Sequence, residues 1–75
     1  MNSHTVLLFG PLRDKFNSGK LTIEMPENSS IDDLLSHLGV ASDFVKTAMN
    51  GEIVPISTQL EAGSEIALLP PVSGG

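Results

Sequence analysis

The side chains able to do chemistry in this sequence are few, and their spacing gives most of them other work. His4 and His37 are the only histidines. One stands near the N-terminus and one between leucines, without the spacing of a metal pair, so both read as surface histidines. Asp32 and Asp33 form an adjacent carboxylate pair, but neighbours on a helix point to different sides, and acids in a first turn favour the helix dipole. They read as helix-start residues. Glu61 and Glu65 flank a turn and read as solvated, and Ser73 has no base placed to activate it. There is no cysteine, hence no thiolate nucleophile, no thiolate metal ligand and no disulfide. Neither a metal site nor a cofactor bound by this chain is expected. The chemistry left is that of the terminus "LLPPVSGG", residues 68–75.

Pro70 and Pro71 lack backbone N–H donors and fix φ, so they end a strand ladder and hold the emerging chain extended, away from the domain. Val72 and Ser73 are small. Gly74 and Gly75 have no side chains and can thread a narrow channel in a partner enzyme. Gly75 ends in an α-carboxyl whose pKa is about 3.3–3.7, an anion at neutral pH that resists nucleophilic attack until it is activated. If the chain handles sulfur, this carboxyl must carry it. A bare Gly-Gly also suits an incidental frayed end.

The rest of the chain limits what else is expected. With 75 residues it reads as one domain, residues 1–75 with a tail at 70–75, too small for a deep internal active site. A self-contained enzyme is not expected. Four basic residues against nine acidic give a net charge of −5, and the aromatics are three Phe without Trp or Tyr. That balance opposes phosphate backbones and anionic membranes and supplies little stacking, so neither nucleic acid nor membrane is an expected partner. No apolar run approaches the length of a membrane span and the N-terminus has no positive leader, so the expected location is the cytoplasm.

Several elements are needed to hold the tail in place. Thr5–Phe9 is apolar almost throughout and reads as a central strand. Gly10 breaks it, and Pro11 suits the first position of a short helical turn to Phe16. Lys20–Met25 alternates, with Leu21, Ile23 and Met25 on one face. Ile31, Leu34, Leu35 and Leu38 follow helical spacing, with Ser29 or Ser30 as cap and Gly39 as the stop. Asn50-Gly51 predicts a tight hairpin between Ala48-Met49 and Glu52–Val54. Glu65–Leu69 predicts a last strand. This order implies an α+β fold in which one mixed sheet carries a helix across one face, the β-grasp arrangement of ubiquitin-like domains.

The strand entering "FGPLRD", the helix "SSIDDLLSHLG", "MNGEIV" and "LEAGSEIALLPPVSGG" together resemble the MoaD-type ubiquitin-like sulfur carriers, the small subunits of molybdopterin synthase. The resemblance spans nearly the whole chain. It implies that an adenylyltransferase related to ubiquitin-activating enzymes uses ATP to adenylate Gly75, and that a sulfur donor protein converts the adenylate to a thiocarboxylate. It further implies that the tail Pro70–Gly74 enters the large subunit of the synthase, in a heterotetramer, to give sulfur to cyclic pyranopterin monophosphate. Phe9, Ile53 and Leu69 are implied as the patch that meets the partner. Ser64 stands where the family usually has Asp, and Leu8 and Leu69 where aromatics are frequent, differences expected to bear on the interface. Two other readings stay open: a carrier for another pathway, such as thiamine thiazole formation, and a protein modifier or plain binding module.

Overall fold

In the computed structural model, residues 1–70 are described. The chain runs β1 (Asn2–Leu8), α1 (Pro11–Phe16), β2 (Lys20–Met25), α2 (Ile31–Leu38), a 3₁₀ turn (Ser42–Phe44), β3 (Lys46–Met49), β4 (Glu52–Ile53) and β5 (Glu65–Leu69). One sheet holds all five strands in the order β2-β1-β5-β3-β4. β1 and β5 run parallel at the centre, while β2, β3 and β4 pair antiparallel to their neighbours. This is the expected mixed sheet of the β-grasp, ubiquitin-like fold.

Local chemistry accounts for the elements. α2 is amphipathic, and Ile31, Leu34 and Leu35 are its buried residues. Its start is a capping box in which Ser30 Oγ accepts from the Asp33 N–H at 3.1 Å and Asp33 Oδ2 accepts from the Ser30 N–H at 2.9 Å, satisfying two otherwise unpaired donors. Gly39 ends the helix at φ 73°, a left-handed angle that suits glycine. Asn50 and Gly51 both take positive φ, 52° and 90°, as a tight β3–β4 turn requires.

The core lies between α2 and one face of the sheet. Val6 and Leu8 of β1, Ile66 and Leu68 of β5, and Met25 of β2 pack with Ile31, Leu34 and Leu35 of α2 and with Val40, Val45 and Leu60 from the loops. The expected last strand alternates, Ile66 and Leu68 being buried whereas Ala67 and Leu69 lie half-buried on the opposite side.

Two expectations need correction. His4 is not a surface residue: it is only 2% exposed and its Nδ1 lies 3.0 Å from Ser64 Oγ, itself buried. β1 begins at Asn2 rather than Thr5, so His4 alternates with Val6 and Leu8 on the helix-facing side. Ser64 and Leu8 are buried as well, each 2% exposed, so neither is part of an outer surface. Ser64 closes the base of β5 from inside, its carbonyl accepting from the Thr5 N–H at 3.1 Å, and Leu8 belongs to the core.

Candidate functional site

The exit of the tail is fixed by three local choices. β1 and β5 are parallel, so Phe9 and Pro70 leave the sheet at the same end, from its centre. Between Phe9 and Pro11, Gly10 adopts φ 58° and ψ −137°, a backbone conformation essentially reserved for glycine. The Gly10 carbonyl then accepts from the Arg13 N–H at 3.0 Å, turning the chain into α1. A side chain begun at Gly10 would stand 3.6 Å from Pro70 Cγ. The Gly10 turn is thus the wall against which the tail root rests. Pro71, Val72, Ser73, Gly74 and Gly75, which the sequence assigns to the threading tail and its reactive end, lie outside the described residues.

The sheet face turned away from α2 presents an apolar row beside this exit. Leu7 pairs with Ala67, Ala67 with Ala48, and Ala48 with Ile53, so the four share one face across four strands. Lys20, paired with Leu7, ends the row on β2. One step nearer the tail lie Leu69, paired with Lys46, and Phe9, one residue beyond β1. The three residues expected as a partner patch are therefore brought to one side of the molecule. Phe9 is 43% exposed and Ile53 63% exposed, while Leu69 is half-buried. An exposed apolar cluster of this kind is a candidate interaction surface.

Sequence reasoning missed a further part of this site. Phe9, Pro11, Leu12, Phe44 and Pro70 line an apolar notch of about 310 Å³ at the tail root. Phe44 is 71% exposed and arrives from the 3₁₀ turn, which no periodic pattern announces. A shallower groove of about 320 Å³ runs along β3 and β4 and is lined by Val45, Lys46, Ile53, Val54, Pro55 and Ile56 together with Thr47.

Titratable groups contribute little here. Glu61 and Glu65 are exposed, as expected, and Glu61 accepts from the Asn50 side chain at 3.0 Å. Asp33 is consumed by the α2 cap and Asp32 is exposed beside it. His37 is exposed on α2. Burial lowers the His4 pKa from its usual 6.5, but His4 lies on the core side of the sheet, away from the open face. Among the described residues no group of His, Asp and Glu is arranged to hold a metal ion, and no helix is long and apolar enough to cross a membrane.

The profile of the ThiS family matches residues 6–75. The molybdopterin synthase sulfur carrier subunit of Drosophila melanogaster is 29% identical, with 100% of this chain and 92% of that protein covered. The crystal structure of SAMP1, the small archaeal modifier protein 1 of Haloferax volcanii, is similar at 27% identity with a TM-score of 0.81, covering 99% of this chain and 100% of that one. A chain in the complex of subunits 1 and 2 of the molybdopterin-converting factor from Helicobacter pylori is also similar. It is 25% identical with a TM-score of 0.67, covering 97% of this chain and 99% of that one.

Proposed function

Because the chain belongs to the ThiS family, we propose that it is the sulfur carrier subunit of a molybdopterin synthase, with Gly75 as the residue that carries the sulfur. The observation that carries this reading is the full-length similarity to a molybdopterin synthase sulfur carrier subunit. The tail root supports it: a central strand that delivers Pro70 past an apolar notch is suited to a terminus that works inside another protein.

The chemistry resides at the chain end. A Gly75 carboxylate oxygen attacks the α-phosphorus of ATP in a partner adenylyltransferase, and pyrophosphate leaves. The acyl-adenylate then offers AMP as a leaving group, which an unactivated carboxylate lacks. A hydrosulfide equivalent from a sulfur donor protein adds to the carbonyl and displaces AMP, leaving a thiocarboxylate. In the active site of the large subunit, the thiocarboxylate sulfur attacks an oxygen-bearing carbon of the pterin precursor, cyclic pyranopterin monophosphate, and the carbon–oxygen bond breaks as the carbon–sulfur bond forms, the oxygen leaving with its electron pair and taking up a proton. Water then cleaves the acyl–sulfur link and restores the carboxylate. ATP is consumed by the partner, and the catalytic side chains belong to the partners as well. This chain contributes a reactive end, an extended reach and a surface to dock.

Incubation with the adenylyltransferase, ATP and a sulfur source should raise the intact mass by the difference between sulfur and oxygen, with fragmentation assigning the gain to Gly75. Omitting ATP should abolish it. Adding the large subunit and the pterin precursor should return the mass to its starting value. Deleting Gly75 should eliminate both steps while the unfolding free energy stays within about 0.5 kcal/mol of wild type. A chain that never gains sulfur beside an active control carrier defeats the proposal.

The likeness to SAMP1 favours one second reading, a protein modifier. It would use the same adenylate, but a lysine amine rather than sulfur would displace AMP and form an isopeptide. Branched peptides ending in Gly75, recovered from digested lysates, would support it.

A further inference from the structure

Two of the chain's four basic residues stand on the open face of the sheet, near the tail exit. Lys20 pairs with Leu7 and Lys46 with Leu69, and both lysines are exposed. β1 and β5 lie between them, so their backbones are about 15 Å apart, three strand spacings with a small offset along the strands. Leu7, Ala67 and Leu69 fill the interval. The acids on this face, Glu24 paired with Ser3 and Glu65 paired with Thr5, stand toward the opposite end. Asp43 sits on the 3₁₀ turn beside the notch rather than on the sheet. In a chain whose net charge is −5, the apolar centre of the patch is therefore flanked by positive charge. Lys46 also borders the groove formed by Val45, Ile53, Val54, Pro55 and Ile56. An acidic side chain that laid its stem in that groove would bring its carboxylate toward the Lys46 ammonium.

Building on the docking reading above, we propose that the partner surface received at the tail root carries carboxylates on both sides of an apolar centre, one opposite Lys20 and one opposite Lys46. The contacts divide their roles by physics. Exposed ion pairs add little to affinity because water and salt screen them, whereas complementary potentials accelerate encounter and fix orientation. The apolar row and notch hold the complex, and the lysines speed its formation and set its register.

The test is stopped-flow association of the full chain with the cognate large subunit of molybdopterin synthase, at ionic strengths from about 20 mM to about 500 mM. K20E/K46E should associate about tenfold more slowly at the lowest salt, with the gap closing as salt rises and the dissociation rate changing less than about threefold. K20Q/K46Q should fall between this variant and wild type, and circular dichroism with denaturant titration should find both folded. K15E, on α1, has the same net charge as K46E and separates local from overall charge: it should keep nearly the wild-type rate while K46E slows. Association of K20E/K46E at the wild-type rate in low salt, or equal slowing by K15E and K46E, overturns the inference while leaving the docking reading intact. A wild-type chain that binds no large subunit at any salt overturns the docking reading and this inference with it.

Discussion

At the scale of single residues, the contact between His4 and Ser64 ties the first strand to the base of the last, and it does so with a titratable group inside the core. Nδ1 lies 3.0 Å from the Ser64 hydroxyl, and desolvation lowers the histidine pKa from 6.5. In the unfolded chain His4 regains its ordinary pKa and binds a proton that the folded state resists. Stability is therefore complete above pH 6.5, declines as pH falls through 6.5 toward the lowered folded value, and stops declining below it. Urea denaturation between about pH 5 and pH 8 should reveal this loss, and His4→Leu should flatten the profile over that window. Ser64→Ala, which leaves a buried imidazole nitrogen without its partner, should cost about 1–3 kcal/mol at neutral pH. An unchanged pH profile in His4→Leu would mean that other groups govern the acid response. The burial of His4 was not legible because the alternation that buries it begins three residues before the apolar run at Thr5. Its neighbours Ser3 and Thr5 gave no sign of a strand with one dry face.

At the scale of elements, the legible parts are those whose signals are local. Ile31, Leu34, Leu35 and Leu38 announce α2 through spacing alone, and its bounds follow from Ser30 and Gly39. Asn50-Gly51 announces the β3–β4 turn because the backbone there needs two positive φ angles. The apolar run before Gly10 announces a central strand. What no local signal carries is partnership at a distance. The capping role of Asp33 was hidden behind its simpler role near the helix dipole, the turn at Ser42–Phe44 has no period, and the rise of Phe44 beside Pro70 depends on how β3 and β5 pair. The cap gives a direct measure of how much a local signal contributes. Ser30→Ala removes the acceptor for the Asp33 N–H and should destabilise the domain by about 1 kcal/mol. Ser29→Ala removes a different hydrogen bond, that from its hydroxyl to the Pro26 carbonyl, so its effect should add to that of Ser30→Ala only if the two act independently. Chemical denaturation of the two single variants and the double variant separates these cases.

At the scale of the whole molecule, the fold sorts its apolar residues by face. The side under α2 is filled by aliphatic side chains and carries stability. Among the described residues, the other side keeps Leu7, Ala67 and Leu69 half-buried and Ile53 and Phe9 exposed around the buried Ala48, next to the point where Pro70 departs. For a small domain this exposure carries a risk of aggregation, and the net charge of −5 opposes it by keeping molecules apart. Stability and docking should therefore respond to different substitutions. Ile53 is 63% exposed on the short strand β4, so Ile53→Asp should leave the unfolding free energy within about 0.5 kcal/mol of wild type. Leu69 is half-buried, so Leu69→Asp should cost about 1–2 kcal/mol of stability while the domain remains folded. Placed in a partner interface, each charge loses its water and meets an apolar surface, and residues at the centre of such patches commonly contribute about 2 kcal/mol or more to binding. Together the two should weaken binding to the large subunit by at least about 100-fold in calorimetric titration. Leu34→Ala, on the opposite face, should reverse the pattern, costing about 2–5 kcal/mol of stability while the fraction still folded binds with nearly unchanged affinity. Wild-type affinity in the Ile53→Asp, Leu69→Asp double variant would mean that the partner grips the tail alone, and that the open face has another occupant.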